Sequence, residues 1–301
     1  MTVFRNSQTA FARASVHLEN IKFSHSIFAL PFAIAGALLA VRDRNPSRWL
    51  PEVNILLLII AAVVAARTCA MAVNRIVDAR IDAKNPRTAA RAIPAGMLTI
   101  GGVTFLAAAS GAIFVIIAFL LSPLCGWLSP VVLAVLLGYS WTKRFTELAH
   151  VVLGLSLGLA PGGAWLGVQG DFKGNIWIPI LLGMSVLFWV AGFDLIYACQ
   201  DAEHDRKQGL HSIPGRFGVS AALSLSTIFH ICAVGLFVMT GRAANLSATY
   251  YVFVGLIAAL LAWEHAIVRP NDLSRVNAAF FTLNGWVSVL FLFGLILDIW
   301  F

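Results

Sequence analysis

The stretch ILLLIIAAVVAARTCAMAVNRIVDARIDAKNPRTAARAIPAG, residues 55–96, decides how this chain is read. Its first dozen residues are apolar. Its second half carries Asn74, Asp78, Asp82 and several arginines. A helix over 55–81 is long enough to cross a hydrocarbon core of about 30 Å. Ionisable side chains are costly in that setting and mark functional positions there. Asn74, Asp78 and Asp82 stand at i, i+4 and i+8, so a helix puts them on one face. That face drifts by about 40° per step, about 80° over the span. Arg67, seven residues before Asn74, continues it. The Pro and Gly of RTAARAIPAG then end the helical extension.

The rest of the chain has the same character. Of 301 residues, 59% are hydrophobic and only 12% are charged. Soluble domains carry roughly a quarter charged residues. Apolar runs recur along the whole length and predict an all-α, polytopic membrane protein with about nine transmembrane helices. The expected spans are 24–41, 55–81, 99–121, 128–141, 148–168, 177–200, 221–240, 249–268 and 278–300. The fourth is short. The second is overlong and should project beyond the bilayer. A transmembrane β-barrel would instead show short alternating segments. With no linker or change of composition, residues 1–301 read as one domain. Residues 1–20 are polar, without the apolar core of a signal peptide.

The net charge of +7 is explained by basic loops that set topology. No basic patch with interleaved aromatics suggests nucleic acid. With the N-terminus inside, fifteen Lys and Arg fall on inner segments and five on outer loops, Arg67 staying within a helix. The expected orientation is therefore N-terminus in, C-terminus out. Cys69, Cys125, Cys199 and Cys232 stand alone in apolar helices and read as buried small hydrophobes. The histidines scatter without metal-ligand spacing.

A second polar cluster, DLIYACQDAEHDRKQG, ends the sixth span. Asp194, Tyr197, Asp201 and Asp205 stand at i, i+3, i+7 and i+11, again one stripe. In the favoured topology both stripes end at the cytoplasmic surface and can face one cavity. A single Asp at a helix end is ordinarily a solvated residue. Two acidic stripes on one side repel unless a cation joins them. Aspartate and amide oxygens are hard ligands that suit Mg²⁺, which also leaves positions for phosphate oxygens. Arg75, Arg80, Lys84, Arg87 and Arg91 flank the first stripe, and Arg206 and Lys207 the second. Lys143 and Arg144, in GYSWTKRF, end the fourth span on the same side. Cations beside an apolar bundle suit a diphosphate with a hydrocarbon tail. A transporter is the competing reading, but its carboxylates tend toward the midplane. Arg67 lies several turns deeper. It is either satisfied by a helix carbonyl or an acidic neighbour, or it receives a substrate anion.

NRIVDARIDAKNPRTAARAIPAG together with DLIYACQDAEHDRKQGLHSIPGRFG resembles the two signature regions of the UbiA superfamily of intramembrane prenyltransferases. IKFSHSIFALPFA and GYSWTKRF resemble two further segments, so the likeness spans nearly the whole chain. It is nearest in kind to bacterial 4-hydroxybenzoate polyprenyltransferase-like proteins, including menaquinone-pathway members that act on a naphthoate. The resemblance implies a nine-helix bundle around a central cavity open to lipid, in the bacterial plasma membrane with its active-site opening cytoplasmic. It implies Mg²⁺ held by Asn74, Asp78, Asp82, Asp201 and Asp205. Lys143 and Arg144 would meet the diphosphate, and Lys207, flanking the second stripe, is read as adding positive charge there. Tyr139, Asp194 and Tyr197 would lie near the reacting carbon, and Lys22 and Arg67 in the cavity. The implied reaction moves a polyprenyl group from its diphosphate to a ring carbon of an aromatic acceptor. Haem, chlorophyllide and lipid precursors are the other acceptors of related motifs. Two positions depart from common patterns: Arg75 follows Asn74 where some relatives have Asp, and Ser24 stands where many aromatic-acid members have Glu.

Overall fold

The computed structural model describes residues 28–301. Its architecture follows from one rule of the bilayer: a backbone without water must satisfy itself, so spans are helical. Eleven α-helices are found among the described residues, joined by turns, short 3₁₀ and π segments and one isolated bridge between Arg269 and Asp272. They are α1 (Leu30–Arg44), α2 (Val53–Asp82), α3 (Ile100–Leu121), α4 (Pro123–Thr142), α5 (Ala149–Gln169) and α6 (Trp177–Ala198). After a 3₁₀ turn come the short α7 (Ala202–Lys207) and α8 (Ile213–Phe217). Then follow α9 (Val219–Ala243), α10 (Ala248–Ile267), a π segment (Ala278–Leu283) and α11 (Asn284–Trp300).

Eight of these segments are long and apolar enough to cross a membrane, and α1 contributes 15 further helical residues. The chain is an integral membrane protein of about nine helices, as the apolar runs predict. The beginning of the first expected span lies outside the described residues. The overlong second span is confirmed: α2 runs 30 residues without Gly or Pro. It stops just before Asn85-Pro86, where proline disfavours the α conformation of the residue ahead of it. The fourth span is longer than expected. Helix α4 begins at Pro123, where a missing N–H costs nothing. The Ser122 hydroxyl caps it by accepting from Cys125 N at 3.1 Å.

Helix α6 is the centre of the bundle. Its side chains are buried almost all round, and it packs closely on α5 and α9. Lipid tails are as apolar as leucine, so close packing rather than water exclusion holds such helices together. Small residues make the closeness possible. A Cβ on Gly154 would collide with the Leu187 carbonyl, and one on Gly158 with the Gly183 carbonyl. Gly36 of α1 sits as tightly against the Pro161 backbone. On the other flank of α6, Phe32, Trp189, Phe237 and Phe291 form one aromatic core. The Trp189 Nε1 donates to Asn284 Oδ1 at 2.7 Å, and Asn284 Nδ2 donates to Glu264 Oε1 at 2.8 Å. Of the cysteines, Cys69 and Cys199 are buried, as expected, whereas Cys125 is half-buried and Cys232 exposed. The outward stripe of α9 that carries Cys232 meets no helix among the described residues.

Candidate active site

Because α2 is unbroken, its polar face stays in register from Arg67 to Asp82. Asn74, Asp78 and Asp82 all line one cavity of about 150 Å³. Asp194, Tyr197, Asp201 and Asp205 line the same cavity from α6, the 3₁₀ turn and α7. The two stripes do face each other. Tyr139, Lys143 and Arg144 enter from the end of α4. Asn74 Nδ2 donates to Asp78 Oδ2 at 2.9 Å. Arg144 Nη2 donates to the Val77 carbonyl at 2.7 Å and stands 3.9 Å from Asp78.

The segment after α2 supplies what spacing did not reveal. Its turns carry Asn85, Arg87 and Arg91 over the cavity. Arg91 Nη1 donates to both Asp82 oxygens, at 2.7 and 2.8 Å. Arg87 grips Asp201 with two nitrogens, Nε at 2.9 Å and Nη2 in close contact. Its third nitrogen donates to the Tyr197 hydroxyl at 2.8 Å. Asn85 Nδ2 adds a bond to Asp201 Oδ1 at 3.0 Å. One turn therefore ties the first stripe to the second. Arg87 and Arg91 were visible in the sequence only as flanking charge. The Asn85-Pro86-Arg87 turn directly after the stripe was the available signal, since it forces the chain back over the helix end.

His150 has no such signal, because its partner lies 44 residues away. Its Nδ1 is 2.7 Å from Asp194 Oδ2, and the ring is fully buried at the start of α5. A scattered histidine is thus part of the site. Lys207 lies apart from it. Its side chain is 70% exposed and pairs with Glu203 one turn back, at 2.5 Å. Lys22 lies outside the described residues. Arg75 is buried in α2 and does not line the cavity.

Five aspartates of the site face four cations, Arg87, Arg91, Lys143 and Arg144. Burial opposes the charge on Lys143, yet Asp205, Asp194, Asp201 and Asp78 outweigh it and raise its pKa. Arg87 likewise loses solvation, but its bonds to Asp201 raise its pKa. Both groups are firmly cationic. Asp205 Oδ2 is buried without a hydrogen-bond partner among the described residues. Among the described residues, no three His, Cys, Asp or Glu side chains converge as a ready metal cluster. The geometric reason is plain: Asp82 turns to Arg91 and Asp201 to Arg87.

A second cavity adjoins the first. It is apolar, has a volume of about 660 Å³ and is walled by α2 to α6. Asn74 and Tyr139 line both cavities. Arg67 lines the apolar one, and its Nε is buried without a partner among the described residues. Far from Tyr139, the wall reaches Phe172 and Ile176, beyond the end of α5. A charged chamber thus opens into a long greasy one.

Comparison with known proteins gives this arrangement a family. The profile of the UbiA prenyltransferase family matches residues 29–288. A 4-hydroxybenzoate octaprenyltransferase of Aromatoleum aromaticum is 26% identical over 271 residues, covering 87% of this chain and 90% of its own. Another, of Tolumonas auensis, is 29% identical over 272 residues, covering 87% and 92%. The apo structure of a UbiA homolog from Aeropyrum pernix K1 superposes with a TM-score of 0.82 at 37% identity, over 91% of this chain and 98% of that one. A UbiA homolog from Archaeoglobus fulgidus bound to GPP and Mg²⁺ shares the fold, with a TM-score of 0.71 at 18% identity over 95% and 100%. The chain belongs to the UbiA prenyltransferase family and is a membrane-embedded polyprenyltransferase.

Proposed function

We propose that this enzyme transfers a polyprenyl group from its diphosphate to a ring carbon of 4-hydroxybenzoate. The observation that carries this reading is the junction of the two cavities at Asn74 and Tyr139. The charged chamber suits a diphosphate and the apolar one a hydrocarbon tail. The donor's first carbon then falls at the junction. The names of the bacterial relatives support 4-hydroxybenzoate as the acceptor.

The donor set fits Mg²⁺, since its hard oxygens line one cavity and Asp205 Oδ2 has a lone pair to offer. Asn74, Asp78 and Asp82 would hold the metal from one side, and Asp201 and Asp205 from the other. When bound, it supplies positive charge against the diphosphate. The chain's own cations do the same from fixed positions. Lys143 and Arg144, with Arg87 and Arg91, surround the place where pyrophosphate departs. Charge grows on that leaving group, so preplaced cations favour the transition state over the ground state. As the C–O bond breaks, its electron pair leaves with pyrophosphate and the allylic carbon becomes cationic. Asp194, aligned by His150, and the rings of Tyr139 and Tyr197 face that charge. The acceptor's ring carbon forms the new bond and its proton is then lost. Arg67, whose Nε has no partner among the described residues, is the group for the acceptor's carboxylate. The charged chamber faces the cytoplasm, with the N-terminus on the same side.

The test is purified protein with Mg²⁺ and a labelled polyprenyl diphosphate, offered 4-hydroxybenzoate and a panel of naphthoates. The expected result is a product whose mass equals 4-hydroxybenzoate plus the prenyl group. Consumption of the donor only with naphthoates would overturn the acceptor, and no aromatic product at all would overturn the reaction.

A further inference from the structure

Helix α5 carries two kinds of glycine. Gly154 and Gly158 are packing residues, pressed against the α6 backbone. Gly162 and Gly163 lie on the same helix, yet a Cβ on either would meet none of the described residues within 4 Å. Glycine inside a helix costs about 1 kcal/mol relative to alanine. Close approach explains that cost for the first pair and leaves it unexplained for the second.

The apolar cavity supplies the explanation. Both Gly162 and Gly163 line it. Across from them α4 comes near, with Cys125 Sγ 3.9 Å from the Gly163 carbonyl. Any side chain at 162 or 163 would take volume from the space between these walls. The cavity is built for a ligand and is not a packing defect, because Arg67 Nε is buried on its wall with no partner among the described residues. Gly162 follows His150 by twelve residues, about 18 Å along the helix axis. That places the glycines beyond the first few isoprene units of a donor whose head lies at Tyr139. The wall continues past them to Phe172 and Ile176, so a longer tail has somewhere to go.

We infer that Gly162 and Gly163 set the bore of the tail channel and thereby determine which prenyl chain lengths the enzyme accepts. This rests on the reading that the apolar cavity holds the donor's tail. A short tail ends before the glycine pair. A long tail must pass it, and a branched side chain there obstructs the path.

The experiment compares wild type with Gly162→Leu, Gly163→Leu and the corresponding alanine variants. Each is given geranyl diphosphate or octaprenyl diphosphate, with Mg²⁺ and 4-hydroxybenzoate. The readout is the ratio of kcat/KM for the long donor over the short one. Donor binding alone is measured in parallel, by thermal stabilisation without acceptor. The ratio should fall about tenfold or more in the leucine variants and by less in the alanine variants. Gly235→Leu on α9, outside the cavity and also with open space at its Cβ, should leave the ratio unchanged. An unchanged ratio, or parallel loss of both donors, overturns the inference. Should the leucine variants fail to fold, an unchanged ratio in both alanine variants overturns it equally. If wild type binds both donors but forms no product, the proposed acceptor fails while the binding ratio still decides. Binding of neither donor rejects both readings.

Discussion

The two ends of the bundle each bury aspartates, and they treat them differently. At the end away from the charged cavity, Asp298 is met by Ser247 N at 3.0 Å, Tyr250 N at 3.0 Å, the Ser247 hydroxyl and Arg42 at 3.6 Å. Asp43 there accepts from Asn175 N at 3.0 Å and from Gln169 Nε2 at 3.3 Å. Three of these six donors, the N–H groups of Ser247, Tyr250 and Asn175, belong to the backbone and are fixed by the fold. At the motif end, Asp82 and Asp201 are held by arginine side chains that can swing away, and all of them border a cavity. Backbone donors satisfy a carboxylate permanently. Side-chain cations satisfy it provisionally, which suits a site that must exchange partners during a reaction.

The comparison can be broken by substitution. Asp78→Ala and Asp201→Ala should lower kcat/KM by about 10²–10³-fold or more while the protein stays folded. Chelation of divalent metal should do the same to wild type and be reversed by Mg²⁺. Either aspartate variant with full activity at saturating Mg²⁺ would contradict the assignment. Arg67→Ala should raise the acceptor KM roughly ten- to a hundredfold, the usual value of a charged hydrogen bond, with little effect on the donor KM. Equal effects on both substrates would make Arg67 structural. Asp298→Ala should reverse the pattern. Its unfolding free energy should fall by about 1–3 kcal/mol, as buried donors lose their acceptor, with kcat/KM of the folded fraction unchanged. Lost activity without lost stability would erase the distinction between the two ends.

The smallest expected effect concerns Glu147, between α4 and α5. Its bonds from His211 at 3.0 Å and from Arg216 hold its carboxyl down at about 2, against an ordinary value of 4.5. A depressed carboxyl adds stability that is complete above its unfolded value and is lost as pH falls through the folded one. The difference in thermal midpoint between wild type and Glu147→Gln should therefore shrink from pH 4.5 to pH 2. A constant difference would show that the contacts of Glu147 act without its charge.

Much of this was legible in the residues themselves. Period and length located α2, and i, i+4, i+8 spacing put Asn74, Asp78 and Asp82 on one face. Charge on one end of the apolar runs brought the two stripes to a common side. These inferences are local, since helical geometry converts sequence distance directly into position. Lys207 shows the limit: it lies beside the stripe in sequence, but its place on α7 turns it to solvent and Glu203.

What the sequence by itself determined is the set of spans, the two acidic stripes and the family motif they form. Tertiary structure decided the partners: Arg87 with Asp201, Arg91 with Asp82, and His150 with Asp194. It also decided that the charged and apolar chambers meet at Asn74 and Tyr139, and that one pair of α5 glycines packs while the other faces open space. The reason is physical. A helix specifies which residues share a face, but which face meets which is settled only when whole helices pack. Identical glycines acquire opposite roles at that step.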